Sequence, residues 1–118
     1  MTSIIYSQEA LIPTWEALCA KFERLADVTR GTMMRRPALL AADKTFVFLA
    51  RIHGPGMGAR VGHTEPSALG LRDWRPLQPF RGKAPMKGWV IVGPEDRDQW
   101  VHVARAALDF RRREVRHA

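Results

Sequence analysis

A chain of 118 residues, 46% hydrophobic and 26% charged, is one domain long and has the composition of a folded globular protein rather than a disordered one. The single cysteine, Cys19, excludes an internal disulfide framework and a cysteine-built zinc site. No apolar run approaches the ~20 residues a membrane-spanning helix needs, and residues 1–6 lack the basic start and apolar core of a signal peptide. The expectation is a cytoplasmic protein folded as one domain over 1–118, with 1–6 and 114–118 as frayed ends. The net charge is +7, and the excess lies in the second half: residues 60–118 carry twelve Arg or Lys against seven Asp or Glu. Such a balance keeps a protein soluble and attracts polyanions whatever its specific role.

The first predicted element is a helix over 7–27, with Ser7 as N-cap and Glu9 in the first turn. Pro13 allows a later start, at 12 or 13. Trp15, Leu18, Cys19, Phe22 and Leu25 recur at helical spacing and form one apolar stripe. On that stripe Cys19 reads as an inert core thiol rather than a nucleophile. Residues 28–31 read as a short connection. The stretch 32–52 then predicts a β-hairpin at the centre of an antiparallel sheet. Its two apolar runs flank Ala42, Asp43 and Lys44, and the second run is β-branched, aromatic and short. Pro37 cannot donate to a ladder, so the first strand is expected at an edge or bulged. A regular strand sends Arg35 and Arg36 to opposite faces, one of them toward an edge or a partner.

Residues 53–58, with three glycines and a proline, predict a flexible loop without the Lys-Ser/Thr of a phosphate-binding loop. Residues 59–61 suggest a short strand. Thr64 is a candidate N-cap for a short helix over 65–71. Residues 72–79 look irregular, and 78–81 suggest an edge strand. A strong strand signal covers 84–92, with Met86, Gly88, Val90 and Val92 on one face and Lys87, Trp89 and Ile91 on the other. The final helix is expected from Pro94 to about Arg113. Glu95, Asp96 and Asp98 start it and Arg111, Arg112 and Arg113 end it, both complementing the helix dipole. Its inner stripe is Trp100, Val103, Ala104, Ala107, Leu108 and Arg111. Helices at both ends of a run of strands predict an α+β, two-layer helix-on-antiparallel-sheet fold.

Two local patterns carry a resemblance. Residues 31–49 (Gly-Thr-Met-Met-Arg-Arg-Pro-Ala-Leu-Leu-Ala-Ala-Asp-Lys-Thr-Phe-Val-Phe-Leu) resemble the strand, turn and second strand of the N-terminal domain of the TfoX/Sxy family of competence regulators. Residues 84–92 (Ala-Pro-Met-Lys-Gly-Trp-Val-Ile-Val) are similar to that family's Pro-Met-Lys/Arg-Glu-Trp-Val-Val-Val run. The final helix, around Trp100 and residues 106–110, looks like the family's too, so the resemblance covers about 18–110. Met34 stands where the family usually has Phe, Arg35 and Ala38 where glycines are common, and Gly88 where it has an acid. The resemblance implies a bacterial protein with a two-layer α/β fold and possible dimers. It implies no catalytic site and, without the second domain of the full-length regulators, no competence role.

Candidate chemistry is sparse. His53 and His63 flank the glycine loop and could meet as a weak metal or ligand site. His102 lies off the inner stripe of the final helix, and His117 is in the tail. Ser67 begins a helix rather than a nucleophile elbow. Helix-dipole complementarity accounts for Glu95, Asp96 and Asp98 without catalysis. The expectation is therefore no enzyme, no cofactor and no resident metal. Three functions compete: an interaction or regulatory module acting as a homodimer, a basic nucleic-acid-associated accessory protein, and a small ligand or metal carrier using His53 and His63. For the first, the strands are apolar on both faces, so the second face needs cover. A second copy would supply it, with Arg35, Arg36 or Trp89 at the contact; the alternative is that residues 54–80 fold over that face. For the second, Arg111, Arg112 and Arg113 are the candidate polyanion contact, for weak and non-specific binding. Neither interleaved exposed aromatics nor a helix-turn-helix is visible.

Overall fold

The computed structural model describes residues 8–51 and 54–116. Along the chain run α1 (Gln8–Phe22), β1 (Val28–Met33), β2 (Arg36–Ala41), β3 (Lys44–Ala50), β4 (Gly56–Arg60), a 3-10 turn (Pro66–Leu69), β5 (Trp74–Pro76), β6 (Trp89–Val92), a second 3-10 turn (Pro94–Gln99) and α2 (Trp100–Arg116). The strands form one antiparallel sheet in the order β1-β2-β3-β4-β6-β5. Both helices pack on one face of it, which is the α+β arrangement the sequence predicts.

The predicted hairpin is β2 and β3. Its two-residue joint, Ala42 and Asp43, has φ of 47° and 70°, the left-handed pair that matches the twist of the flanking strands. The first strand does not reach back to residue 32. Met34 and Arg35, with φ of 51° and 64°, make a second joint of the same kind. Residues 28–31, expected to be a connection, form with 32 and 33 the outer strand, β1. Neither joint contains glycine, so sequence gives little warning of the second. Pro37 is thereby accommodated without an edge: it faces Thr32 on β1, while the ladder from β2 to β3 begins at Ala38.

The bulge of this hairpin lies at Phe46. Leu39 faces Val47 and Leu40 faces Thr45, leaving Phe46 as the extra residue. A bulge resets the alternation of faces. Phe46, Val47 and Leu49 therefore all enter the helix-side core, where strict alternation would have paired Phe46 with Phe48.

The second half of the glycine-rich stretch is not a loop. Gly56-Met57-Gly58 belongs to β4, at the centre of the sheet. On the face away from the helices, the ring of Phe48 crosses Gly58 to meet Trp89 edge-on, centroids 5.7 Å apart. The glycine is there for close approach, not for flexibility. The edge strand expected at 78–81 lies instead at β5, and of the strand expected over 84–92 only Trp89–Val92 is extended. The helix expected over 65–71 is only the turn Pro66–Leu69, with Glu65 rather than Thr64 at its N-cap position. Pro13 sits inside α1 instead of starting it, and the proposed cap Ser7 lies outside the described residues. Beyond the expected end at Arg113, α2 continues to Arg116; residues 114–116 are helical rather than frayed.

Two apolar clusters result. Leu11, Trp15, Leu18, Cys19 and Phe22 of α1 meet Trp100, Val103, Ala104, Ala107 and Leu108 of α2 over one sheet face. Each fully buried Leu or Phe there contributes about 1.5–3 kcal/mol. The other face carries Ala38, Phe48, Ala50, Trp89 and Ile91, closed by Leu77 from the chain leaving β5. None of these six is more than 7% exposed. The chain thus covers its own second face, and the reason for expecting a second subunit there falls away.

Candidate functional site: a groove at the β5–β6 edge

A concavity of about 660 Å³ opens on the helix side of the sheet beyond β6. Its floor is Val61 and Val90. Phe110 of α2 forms one wall, the loop from Gly62 to Pro66 a second, and Trp74, Pro76 and Met86 the outer rim. Strand alternation explains the rim: Trp74 and Pro76 face Val92 and Val90 across β5–β6, so they lean to the helix side of the edge. Trp74 is 42% exposed, while Trp15, Trp89 and Trp100 are at most 6% exposed.

The rim is held rigidly. Asp96, 3% exposed, accepts hydrogen bonds from the backbone N–H of Arg72 (2.7 Å) and Asp73 (2.6 Å) through one carboxylate oxygen. Asp73 in turn accepts from Glu95 N (3.0 Å), and its carbonyl accepts from Gly93 N (2.7 Å). This reciprocal clamp fixes the entry to β5 against the entry to α2. The acidic cluster is therefore not simply a complement to the helix dipole: Asp96 is a buried brace, while Glu95 and Asp98 are exposed.

On the floor side, the carbonyl of Gly88 accepts from both Val61 N and Gly62 N. Gly88 has φ of 79°, a conformation a side chain strains, which accounts for glycine at this position. Arg60 donates to Lys87 O (2.6 Å) and Glu114 (3.0 Å), and its guanidinium lies 5.5 Å from the Phe110 ring centroid. Arg113 approaches the same ring at 6.0 Å.

The loop from β5 to β6 borders the groove. It is tied at its base by Met86 N to Leu77 O (2.8 Å) and internally by Gln78 Nε2 to Lys83 O (2.8 Å). Between Asp73 and Glu95 the chain has no acidic residue, while Arg81, Lys83 and Lys87 are all exposed in this loop. At its tip Phe80 is 67% exposed. Exposed aromatics beside unopposed cations are thus present, contrary to the expectation from sequence. Trp74 looked like one tryptophan among four, and Phe80 lay in a supposed strand.

No protein-family model, curated protein or solved structure matches this chain. The site therefore rests on its geometry.

The residues singled out from sequence are dispersed. Arg35 is an exposed turn residue, not a strand residue, and Arg36 donates to Leu49 O (3.1 Å). Trp89 is buried, with Phe48 edge-on to it and the Arg111 guanidinium 5.8 Å from its ring centroid. These three offer no shared contact surface. Nor do Arg111, Arg112 and Arg113 form a patch. Arg111 donates to Thr45 O (2.7 Å) and Glu114 (2.9 Å), and burial lowers its pKa against the pull of Glu114. Arg112 grips both oxygens of Asp27 (2.8 and 2.9 Å). Of the triplet only Arg113 is exposed, and it stands beside the groove. His63 lines the groove and His102 is exposed, while His53 and His117 lie outside the described residues. Among the described residues, no group of three or more His, Cys, Asp or Glu could hold a metal. Cys19 is fully buried, and burial pushes its thiol up to about 12, so it stays protonated and inert at neutral pH. No described helix is long and apolar enough to cross a membrane.

Proposed function

We propose that this chain is a non-catalytic binding module, built like the TfoX N-terminal domain, whose partner docks in the groove rimmed by Trp74 and Met86. The observation that carries the reading is the contrast among the tryptophans. Three are packed away, and the fourth stands open on a braced edge beside a concavity of ligand-binding size. An aromatic held rigid and half in water contributes contact area at little cost in conformational entropy. The likeness to the TfoX domain gains support from Arg35: the family commonly has glycine there, and the left-handed backbone at this position favours glycine.

The test is site-specific photo-crosslinking in cells, with a photoreactive residue at position 74 and a control at the exposed Ala17 of α1. A discrete macromolecular adduct at 74 and none at 17 is the expected result. Equal labelling at both positions, or none at 74, would reject the groove as a docking site.

A further inference from the structure

We infer that the partner is single-stranded nucleic acid, with a base stacked on Trp74 and the sugar-phosphate backbone running over the cationic loop; the inference rests on the reading of the groove as a docking site. Three observations lead there. The groove offers an exposed π-face in Trp74 and apolar surface in Met86 and Phe110, in a space of about 660 Å³ that accommodates a nucleobase. Arg81, Lys83 and Lys87 follow one another along the adjoining loop without a carboxylate between them, and the exposed Arg113 lies 6.0 Å from the ring centroid of Phe110, which lines the groove. Lys87 joins the two features, since it is both loop and groove lining. An aromatic platform beside a cationic track is the arrangement that takes single strands, whose bases are free to leave the stack. A duplex offers phosphates to the same cations but no base face to Trp74.

Glu65 is the one carboxylate among the groove's lining residues, and Glu114, beside the lining Arg60, is already bonded to Arg60 and Arg111. The track of Arg81, Lys83 and Lys87 is left for an anionic chain. Phe80, at the tip of the same loop, presents a second aromatic face for a neighbouring base.

The experiment measures fluorescence anisotropy of labelled oligo(dT), oligo(rU) and a mixed-sequence duplex with the intact protein, over a range of salt concentrations. Flotation with phosphatidylserine vesicles runs in parallel. Single strands are expected to bind better than duplex, and the two homopolymers show whether DNA or RNA is preferred. Three phosphate contacts give a log–log salt slope of about −2, and Lys87→Glu makes it shallower by about 0.7 or more. Trp74→Ala weakens binding about tenfold or more, Trp74→Phe restores most of it, and neither moves the denaturation midpoint. Absence of oligonucleotide binding at low ionic strength overturns the inference. So does binding that is indifferent to Trp74→Ala, or equal for duplex and single strand, since either describes charge attraction without stacking. Vesicle binding alone would reassign the loop to an anionic lipid surface. If oligonucleotides fail while the crosslinked adduct at position 74 persists and is protease-sensitive, the docking groove stands and only the nucleic-acid partner falls.

Discussion

The ring of Phe48 occupies the space that any side chain at residue 58 would need: a Cβ on Gly58 would lie 2.0 Å from Phe48 Cε1 and 2.6 Å from two further ring atoms. Phe48 is itself fully buried and held edge-on by Trp89. Gly58→Ala should therefore destabilise the protein by about 1–3 kcal/mol, the usual penalty for overpacking. Phe48→Leu should cost less in the Gly58→Ala background than in the wild type. Chemical denaturation of the four proteins of this double-mutant cycle checks both statements. Additive costs would show that the two residues do not compete for the same space.

Asp96 gives a second expectation. Removing its carboxylate orphans two backbone donors at the start of β5, and hydrogen bonds to a charged acceptor are worth about 1.5–3 kcal/mol each. Asp96→Ala should cost about 2–4 kcal/mol, and Asp96→Asn, which keeps an acceptor oxygen, distinctly less. Hydrogen exchange at Arg72 and Asp73 should accelerate in Asp96→Ala before the rest of the sheet opens. Unchanged protection at those two amides would remove the clamp from the account.

The joint between β1 and β2 leads to a gain instead of a loss. Arg35 holds φ at 64°, where a residue with a Cβ is disfavoured by roughly 1 kcal/mol relative to glycine. Its side chain is exposed. Arg35→Gly should leave stability unchanged or raise it by up to about 1 kcal/mol, the greater chain entropy of unfolded glycine offsetting part of the relief. Thermal denaturation decides, and a clear loss would mean that Arg35 makes a contact its exposure does not suggest.

Acid should loosen the molecule through three carboxylates. Hydrogen bonds from Arg112 lower the pKa of Asp27, those from Arg60 and Arg111 lower that of Glu114, and that from Arg30 lowers that of Glu16. A carboxylate whose folded pKa is depressed contributes stability that is complete above its unfolded pKa and disappears as pH falls through the folded value. The stability from these pairs is therefore present at neutral pH and declines below about pH 4. All three groups are solvent-accessible, so each contribution is modest. Glu114→Gln should flatten the acid limb of a stability-versus-pH curve measured by urea denaturation. An unaltered limb would show that Glu114 is not ion-paired in solution.

The helices and their inner stripes were legible because periodicity survives packing: Trp15, Phe22, Trp100 and Leu108 are all buried as their spacing implies. The central hairpin was legible for the same reason. β4 was not, because glycine in a strand looks like glycine in a turn until the aromatic ring that requires it is located. The joint at Met34 and Arg35 carries none of the residues that ordinarily mark a left-handed pair. The basic triplet 111–113 misled because sequence shows charge but not its partners. Arg111 and Arg112 are committed to Thr45, Glu114 and Asp27, all remote in sequence except Glu114.

The loop bearing Arg81, Lys83 and Lys87 is fastened at its feet, where Met86 N bonds Leu77 O and Leu77 N bonds Trp89 O. Leu77 and Trp89 belong to the core; residues 80–87 are exposed. Such a construction separates the exposed tip from what folding must keep. The tip can change charge while the sheet beneath it stays the same, because none of residues 80–87 belongs to either apolar cluster.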